Sequence, residues 1–289
     1  MDKILVTGAA GQMGTVVIGT LLKKMTPQQI NVLVRQEEKQ QEFQLKGFNA
    51  YQGNYEDIAS LERAMTGVDT VLLISSGDRQ NHLQQHKNVI DTAKKCGIEN
   101  IAYTSRSLRD RTTVLNQILV EHFDTEDYIK ASGLRYIIFK AARYMETLLF
   151  HLGKDVIEKG GFAGVAGDGK AAFTLRKDLS EVIAKVLLYE NCNNQIYTFT
   201  NTETYSMYDV ADALTQLSGK EITYTPVDVP TFETLMNKTG LPPFVVKIMC
   251  DTNLDIKNGQ ETVITNDLEK ALGRKPASLK EGLKLLFHL

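Results

Sequence analysis

Two hydrophobic periods alternate along the first half of the chain. Short runs rich in aliphatic and β-branched residues recur at 3–7, 30–34, 49–52, 70–74, 100–104 and 136–139, and each is predicted to be a strand. Between them, apolar residues fall three and four apart. Val17, Ile18, Leu21 and Leu22 make one stripe, Ile58, Leu61 and Met65 a second, and Val89, Ile90 and Ala93 a third. That spacing puts each set on one face of a helix. A further helix is expected over 112–131. Strands that are apolar throughout need cover on both faces, which a parallel sheet with crossover helices provides. Right-handed crossovers then give an α/β fold with a doubly wound parallel sheet, the NAD(P)-binding Rossmann fold.

Beyond residue 139 the pattern loosens. The stretch "EKGGFAGVAGDGK" reads as a glycine-rich loop, "RKDLSEVIAKVLLYE" as a helix and "QIYTFT" as one more strand. From Tyr205 onward there are helical patterns and four prolines, Pro226, Pro230, Pro242 and Pro243. The expected division assigns 1–145 and 176–203 to the Rossmann domain. It assigns 146–175 and 204–289 to a smaller C-terminal α/β cap domain beside the carboxyl ends of the strands, where ligands bind in open α/β sheets.

Composition narrows the classes. With 289 residues, 43% of them hydrophobic and 24% charged, the chain can build a large core. A net charge of −2 gives no reason to expect nucleic acid as a partner. Cys96, Cys192 and Cys250 have neither metal nor redox spacing, so no disulfide is expected and a reducing, cytoplasmic setting fits. No secretory leader and no membrane span are expected. A homodimer is compatible with the sequence.

Candidate chemistry begins at "TGAAGQMG", with glycines at 8, 11 and 14 between a strand and a helix. Gly8 permits a tight turn, Gly11 a close backbone approach to a pyrophosphate, and Gly14 close helix–strand packing. Gly8, Ala10, Gly11, Gln12 and Met13 are therefore the first expected cofactor contacts, the N–H groups facing phosphate. A purely structural glycine turn is the alternative. The second strand ends at Arg35, where an NAD enzyme usually carries an acid. An arginine there can pair with a 2′-phosphate, which favours NADPH, with NADH weaker; a solvated surface arginine is the plain alternative. Lys39 could add charge, and Glu37 and Glu38 are expected to face solvent at a helix start. Later strand ends place Asn54 and Tyr55 near the adenine, Ile74, Ser75 and Ser76 along the ribose, and Thr104 and Ser105 near the nicotinamide. Each also reads as an ordinary loop residue.

An acid–base pair is harder to find. "YIIFK" (136–140) has the Tyr-x-x-x-Lys spacing of a short-chain dehydrogenase, in which lysine lowers the pKa of a catalytic phenol. That pair works on a helix, where residues four apart lie about 6 Å apart. On a strand the separation is about 13 Å. The helix over 112–131 contains Tyr128, but Ser132 stands four residues on. It also carries His122 and Glu126, read either as helix packing or as substrate contacts. "HLQQH" (His82, His86) has a zinc-like spacing without the glutamate base or a third ligand, so it is read as helix surface or interface. No metal site is expected. Ser105, His122 and Tyr144 remain candidates for positioning substrate or supplying a proton.

The blocks "VTGAAGQMG", "VLVR", "GNYED", "LLISS", "QHKNVI", "IAYTS" and "EHFDTEDYIKASGLRYIIFKAARYME" resemble those of the NmrA-like atypical short-chain dehydrogenases. Within that family they are most similar to the bacterial NAD(P)H:quinone oxidoreductases of type 2, with the triphenylmethane reductases as near relatives. "GVAGDGKAAFTLRKDLSEVIAKVL" and "DLEKALGRKPASLKEGL" extend the likeness over nearly the whole chain. The resemblance implies NADPH, without flavin or metal, bound by the glycine loop and Arg35. It implies direct hydride transfer to a quinone or similar conjugated acceptor beneath the cap, and a nicotinamide pocket lined by 139–144, including Phe139, Lys140, Ala141 and Tyr144. Relatives carry Arg-Asn where this chain has Lys140 and Ala141, which removes a polar side chain near the reacting centre. NmrA itself shares the fold but acts as a regulator, so an NADP(H)-sensing protein with little or no turnover stays open beside the reductase.

Overall fold

The computed structural model describes residues 3–78, 80–189 and 193–289. Cys192 and the last residue of the helix expected over 176–190 lie outside them. The described chain separates into two compact units. One holds 1–106, 121–140 and 177–198, the other 107–120, 141–176 and 199–289. The stretch 107–120 clusters with the second unit, although its sequence neighbours lie in the first.

In the first unit, apolar strands order themselves into one sheet. The strands are β1 (Ile4–Val6), β2 (Ile30–Val34), β3 (Asn49–Gln52), β4 (Thr70–Leu73), β5 (Asn100–Arg106) and β6 (Arg135–Ala141), followed by a last strand, Gln195–Phe199. Their order across the sheet is Gln195–Phe199, β6, β5, β4, β1, β2, β3. β1 pairs parallel with β2 and β4, β2 with β3, and β4 with β5. The reversal of direction at β1 and β4 is the switch point beside which doubly wound sheets open a crevice.

Helices α1 (Gln12–Leu21), α2 (Glu37–Leu45), α3 (Ile58–Met65), α4 (His82–Lys95) and α5 (Gln117–Ala131) join these strands. One sheet face contributes Leu5, Leu33, Val71, Leu73, Ile101, Tyr103 and Ile138 to a core completed by Leu61, Met65, Val89, Ile90 and Ile129 from α3, α4 and α5. Their strand neighbours Ile4, Val6, Val32, Leu72 and Ile137 are buried as well, on the opposite face. That double burial is why β1, β2 and β4 read as unbroken apolar runs. Two members of the predicted stripes, Leu22 and Ile58, are instead 39% exposed, because each stands at a helix end. α5 starts later than the periodicity suggests: the Asn116 side chain accepts from the N–H of Ile118 at 3.1 Å and caps it.

The second unit has its own core of Met145, Leu148, Phe173, Val210, Leu214 and Leu283, and a smaller cluster around Phe232, Val246 and Met249. One expectation is corrected here. The glycine-rich stretch read as loop contains a strand, Gly161–Gly164, paired parallel with Thr223–Pro226. A Cβ on Gly161 would lie 2.5 Å from the carbonyl oxygen of Thr223. The glycine records a close backbone approach within a sheet rather than a turn. No described helix is long and apolar enough to cross a membrane. Cys96 and Cys250 are free thiols, the first exposed and the second buried.

Candidate functional site

The turn after β1 is built by three glycines acting differently. Gly8 has φ +58°, a conformation that side chains disfavour, and its carbonyl accepts from the N–H of Gly11 at 2.9 Å. Gly14 lies against that turn. A Cβ there would stand 2.4 Å from the Gly8 oxygen and 2.7 Å from Ala9 Cα. Gly19, in the same helix, has nothing within 4 Å. Gly14→Ala is therefore expected to cost about 1–3 kcal/mol of stability, because the obstructing atoms are backbone. Gly19→Ala should gain about 0.5–1 kcal/mol from helix propensity. Denaturant unfolding of the pair checks the opposite signs.

The packing leaves the start of α1 open. Gly8, Ala10, Gly11 and Gln12 are exposed, while Met13 is buried. No side chain caps α1, and its first turn has no acid. Its leading N–H groups and positive dipole end are suited to an anion. Arg35, at the end of β2, is exposed, with Glu37 and Glu38 exposed in the first turn of α2. Lys39 is engaged by Glu42 at 3.0 Å.

Other candidate residues turn out to shape the crevice. The Tyr55 hydroxyl lies 2.6 Å from Thr7 Oγ1 and 2.8 Å from the carbonyl of Ile74, which ties the ends of β1 and β4 together. Burial pushes this phenol well above its ordinary pKa, and the Thr7 hydrogen bond and Arg35 offset only part of that. Asn54 is exposed, and its side-chain oxygen accepts from the N–H groups of Glu56 and Asp57, closing the turn into α3. The Ser75 N–H donates to Thr104 Oγ1 at 2.8 Å.

The histidines of "HLQQH" require a correction. A helix-surface position fits their spacing, yet His82 and His86 are 1% and 0% exposed. The first turns of α4 pack under the loop that follows β4, and the rings hold that loop. His86 Nε2 accepts from the Ser76 N–H at 2.9 Å. Its Nδ1 lies 3.0 Å from Thr125 Oγ1, whose own proton goes to the Glu121 carbonyl. The imidazole is thus fixed with its proton on Nδ1. His82 Nε2 lies 2.9 Å from Ser75 Oγ, and its Nδ1 3.2 Å from Glu121 Oε2. Burial pushes the His82 pKa down to about 4, with Asp78 opposing weakly, and holds His86 well below its ordinary range. Pairings across dozens of residues leave no local signature, which is why spacing missed them.

Strand and helix periods explain the next pairings. Tyr103 and Ser105 are two apart on β5, about 7 Å. His122 and Glu126 are four apart on α5, about 6 Å. The two pairs meet: Tyr103 Oη is 2.7 Å from His122 Nδ1, and Ser105 Oγ donates to Glu126 Oε1 at 2.6 Å. His122 is buried and held well below its ordinary pKa, first by burial and then by the neighbouring histidines and Arg106. Glu126 also receives Lys140 Nζ at 2.9 Å. The Lys140 ammonium thus turns toward α5, and Ser105 is fully buried beside it. Phe139 is 1% exposed and stacks on Tyr197, with ring centroids 6.1 Å apart. In the second unit Ala141 is buried, and the Arg176 guanidinium covers the Tyr144 ring at 4.7 Å. Among the described residues, no group of three or more His, Cys, Asp or Glu side chains could hold a metal ion.

With this geometry in hand, the family profile described as NmrA-like matches residues 1–285. Quinone oxidoreductase 2 of Escherichia coli strain K12 is 32% identical over 286 residues, 99% of each chain. The crystal structure of that NADPH-dependent enzyme complexed with NADPH superimposes with a TM-score of 0.91, covering 98% of this chain and 99% of the other. The Citrobacter sp. triphenylmethane reductase complexed with NADP(H) gives 0.90 at 28% identity, covering 98% and 99% of the two chains.

Proposed function

Because the chain belongs to the NmrA-like family, we propose that it is an NADPH-dependent oxidoreductase that reduces a quinone or a similarly conjugated acceptor. The observation that carries this reading is the uncapped start of α1 behind the Gly8 turn, with Arg35 exposed at the end of β2. Two relatives that match over nearly their full length are a quinone reductase and a dye reductase, which supports this acceptor class.

Bound in this crevice, a reduced nicotinamide supplies the hydride. The chain's own residues bind and orient. The N–H groups at the start of α1 hold the diphosphate, and Arg35 pairs with a 2′-phosphate. Tyr55, Thr7 and the histidine-braced loop 74–76 keep the strand ends at fixed spacing, and orientation is the chief contribution. Proton supply is a lighter demand. A quinone that accepts hydride becomes a hydroquinone anion stabilised by its ring, whereas a simple ketone gives a strongly basic alkoxide that needs a positioned acid. A Tyr-x-x-x-Lys relay is not available to this chain. Tyr136 and Lys140 lie toward opposite ends of β6, and the Tyr128 hydroxyl donates to Asp91 at 2.8 Å.

NADPH oxidation by the purified protein, measured with several quinones, tests the reading. Absence of turnover with all of them, while nucleotide still binds, would move the protein to a nucleotide-sensing role. Arg35→Ala is expected to weaken NADPH about 10- to 100-fold, the worth of a charge-assisted hydrogen bond, and to leave NADH nearly unchanged. Titrating the variant with both nucleotides checks this, and an equal loss for the two would exclude the 2′-phosphate contact.

A further inference from the structure

We propose that Ser75, His82 and Glu121 form a proton store and relay, in which Ser75 hands a proton to the reduced substrate oxygen and Glu121 replenishes it through His82. The inference rests on the reductase reading above and names the source of its proton.

The three groups come from three elements of the first unit: the loop after β4, the first turn of α4, and α5. Ser75 Oγ lies 2.9 Å from His82 Nε2, and His82 Nδ1 lies 3.2 Å from Glu121 Oε2. Neither Nδ1 nor Oε2 makes a well-directed hydrogen bond, and both atoms are buried. Buried polar atoms are normally satisfied, so the pair needs an explanation. Two unprotonated acceptor atoms held 3.2 Å apart repel. One proton between them removes the repulsion, whichever atom carries it. The neighbouring histidines are built differently. His86 has both nitrogens committed to groups that hold it still, and His122 ends on the fully buried Tyr103. Of the three rings, His82 alone bridges a titratable acid and a partly exposed hydroxyl.

The surroundings bias the pair toward a neutral imidazole and a protonated acid. The His82 ring lies against His86 and His122, with centroids at 4.1 and 5.0 Å, and burial lowers its pKa while Asp78 from the preceding loop opposes this weakly. Glu121 stands near Asp124 and accepts from the Leu83 backbone. Burial raises its pKa, and Asp124 adds to the shift. In the resting state Glu121 Oε2–H faces Nδ1, Nε2–H faces Ser75 Oγ, and the Ser75 hydroxyl faces the crevice. When the substrate oxygen takes the Ser75 proton, the Nε2 proton moves to Ser75 and the Glu121 proton moves to Nδ1. One proton is transferred, His82 stays neutral throughout, and Glu121 is left as a carboxylate. After product departs, water protonates Ser75 and the path runs backward to refill Glu121.

The test uses the intact protein, Glu121→Gln and Ser75→Ala. Ser75→Ala lies on a different element and serves if the first variant fails to fold. Histidine ring ¹⁵N NMR of the nucleotide-free protein should show the His82 resonances shifted by Glu121→Gln and those of His86 unmoved. In quinone-dependent NADPH oxidation, both variants should lose about tenfold in kcat with little change in KM for NADPH. That loss is below the hundredfold usual for positioned proton transfer, because a hydroquinone anion is weakly basic. The parent's kcat should fall with rising pH as Glu121 ionises, and Glu121→Gln should be flat. His82 resonances indifferent to Glu121→Gln, or variants matching the parent in kcat and pH profile, would overturn the relay alone. A parent without turnover on any quinone would overturn the reductase reading and the relay's role together.

Discussion

Replacing Glu261 by alanine is expected to destabilise the second unit by about 3–5 kcal/mol, the usual cost of stranding one member of a buried ion pair. The Arg143 and Glu261 side chains are 5% and 1% exposed, with Nη1 3.1 Å from Oε1. A guanidinium cannot shed its charge in response. His151 offers no rescue. Its Nε2 lies 2.7 Å from Arg143 Nη2 and accepts from it, so the ring must stay neutral. Burial, and secondarily the Arg143 charge, push its pKa down to about 3. Glu261→Gln keeps an oxygen acceptor at the same place and should lose less. Urea unfolding of both variants against the parent checks the ordering, and a loss below about 1 kcal/mol for the alanine variant would refute it.

Acidification from pH 7 to pH 5 is expected to remove a large part of the protein's stability while its carboxylates stay mostly ionised. His82 has its folded pKa lowered from the ordinary 6.5 to about 4. The unfolded chain therefore binds a proton before the folded one does. The contribution is complete above pH 6.5, shrinks as pH falls below it, and is exhausted once the folded pKa is passed. For His82 alone the loss by pH 5 is about 2 kcal/mol. His86, His122 and His151 are shifted in the same direction by burial. Glu121 and Asp255 oppose them, since burial raises both carboxyls and the folded state then gains as pH falls. The shifted histidines outnumber the raised acids, four to two. Thermal midpoints at pH 7, 6 and 5 should fall steadily, and a flat profile would exclude the effect.

The sheet was legible because its signals are local. Unbroken apolar runs place β1, β2 and β4, and the glycine spacing places the turn into α1. The rest depends on contacts that sequence spacing cannot carry. "HLQQH" looks like a helix surface until the loop after β4 lies over it. The His122 and Glu126 pair gives up its meaning only against Tyr103 and Ser105, because a strand period of two must match a helix period of four. "YIIFK" has the spacing of a catalytic dyad but lies on β6, where Lys140 reaches Glu126 instead. Gly161 and Gly8 look alike in sequence. One is pressed against a neighbouring strand, and the other adopts positive φ.

The order of strands also has a consequence for synthesis on the ribosome. β6 is complete at Ala141, but its outer neighbour is Gln195–Phe199, and residues 142–194 must be translated first. Because the two units exchange the chain repeatedly, neither can finish before the other has begun. Throughout that interval the nascent sheet presents β6 as an open edge, the kind of edge that recruits foreign strands. The charges on β6 suit this delay. Arg135 pairs with Glu99 at its start and Lys140 sits near its end, guarding an edge that the mature sheet no longer exposes. When the last strand arrives, Asn194 closes the gap, its side-chain oxygen accepting from the Tyr136 N–H at 3.1 Å.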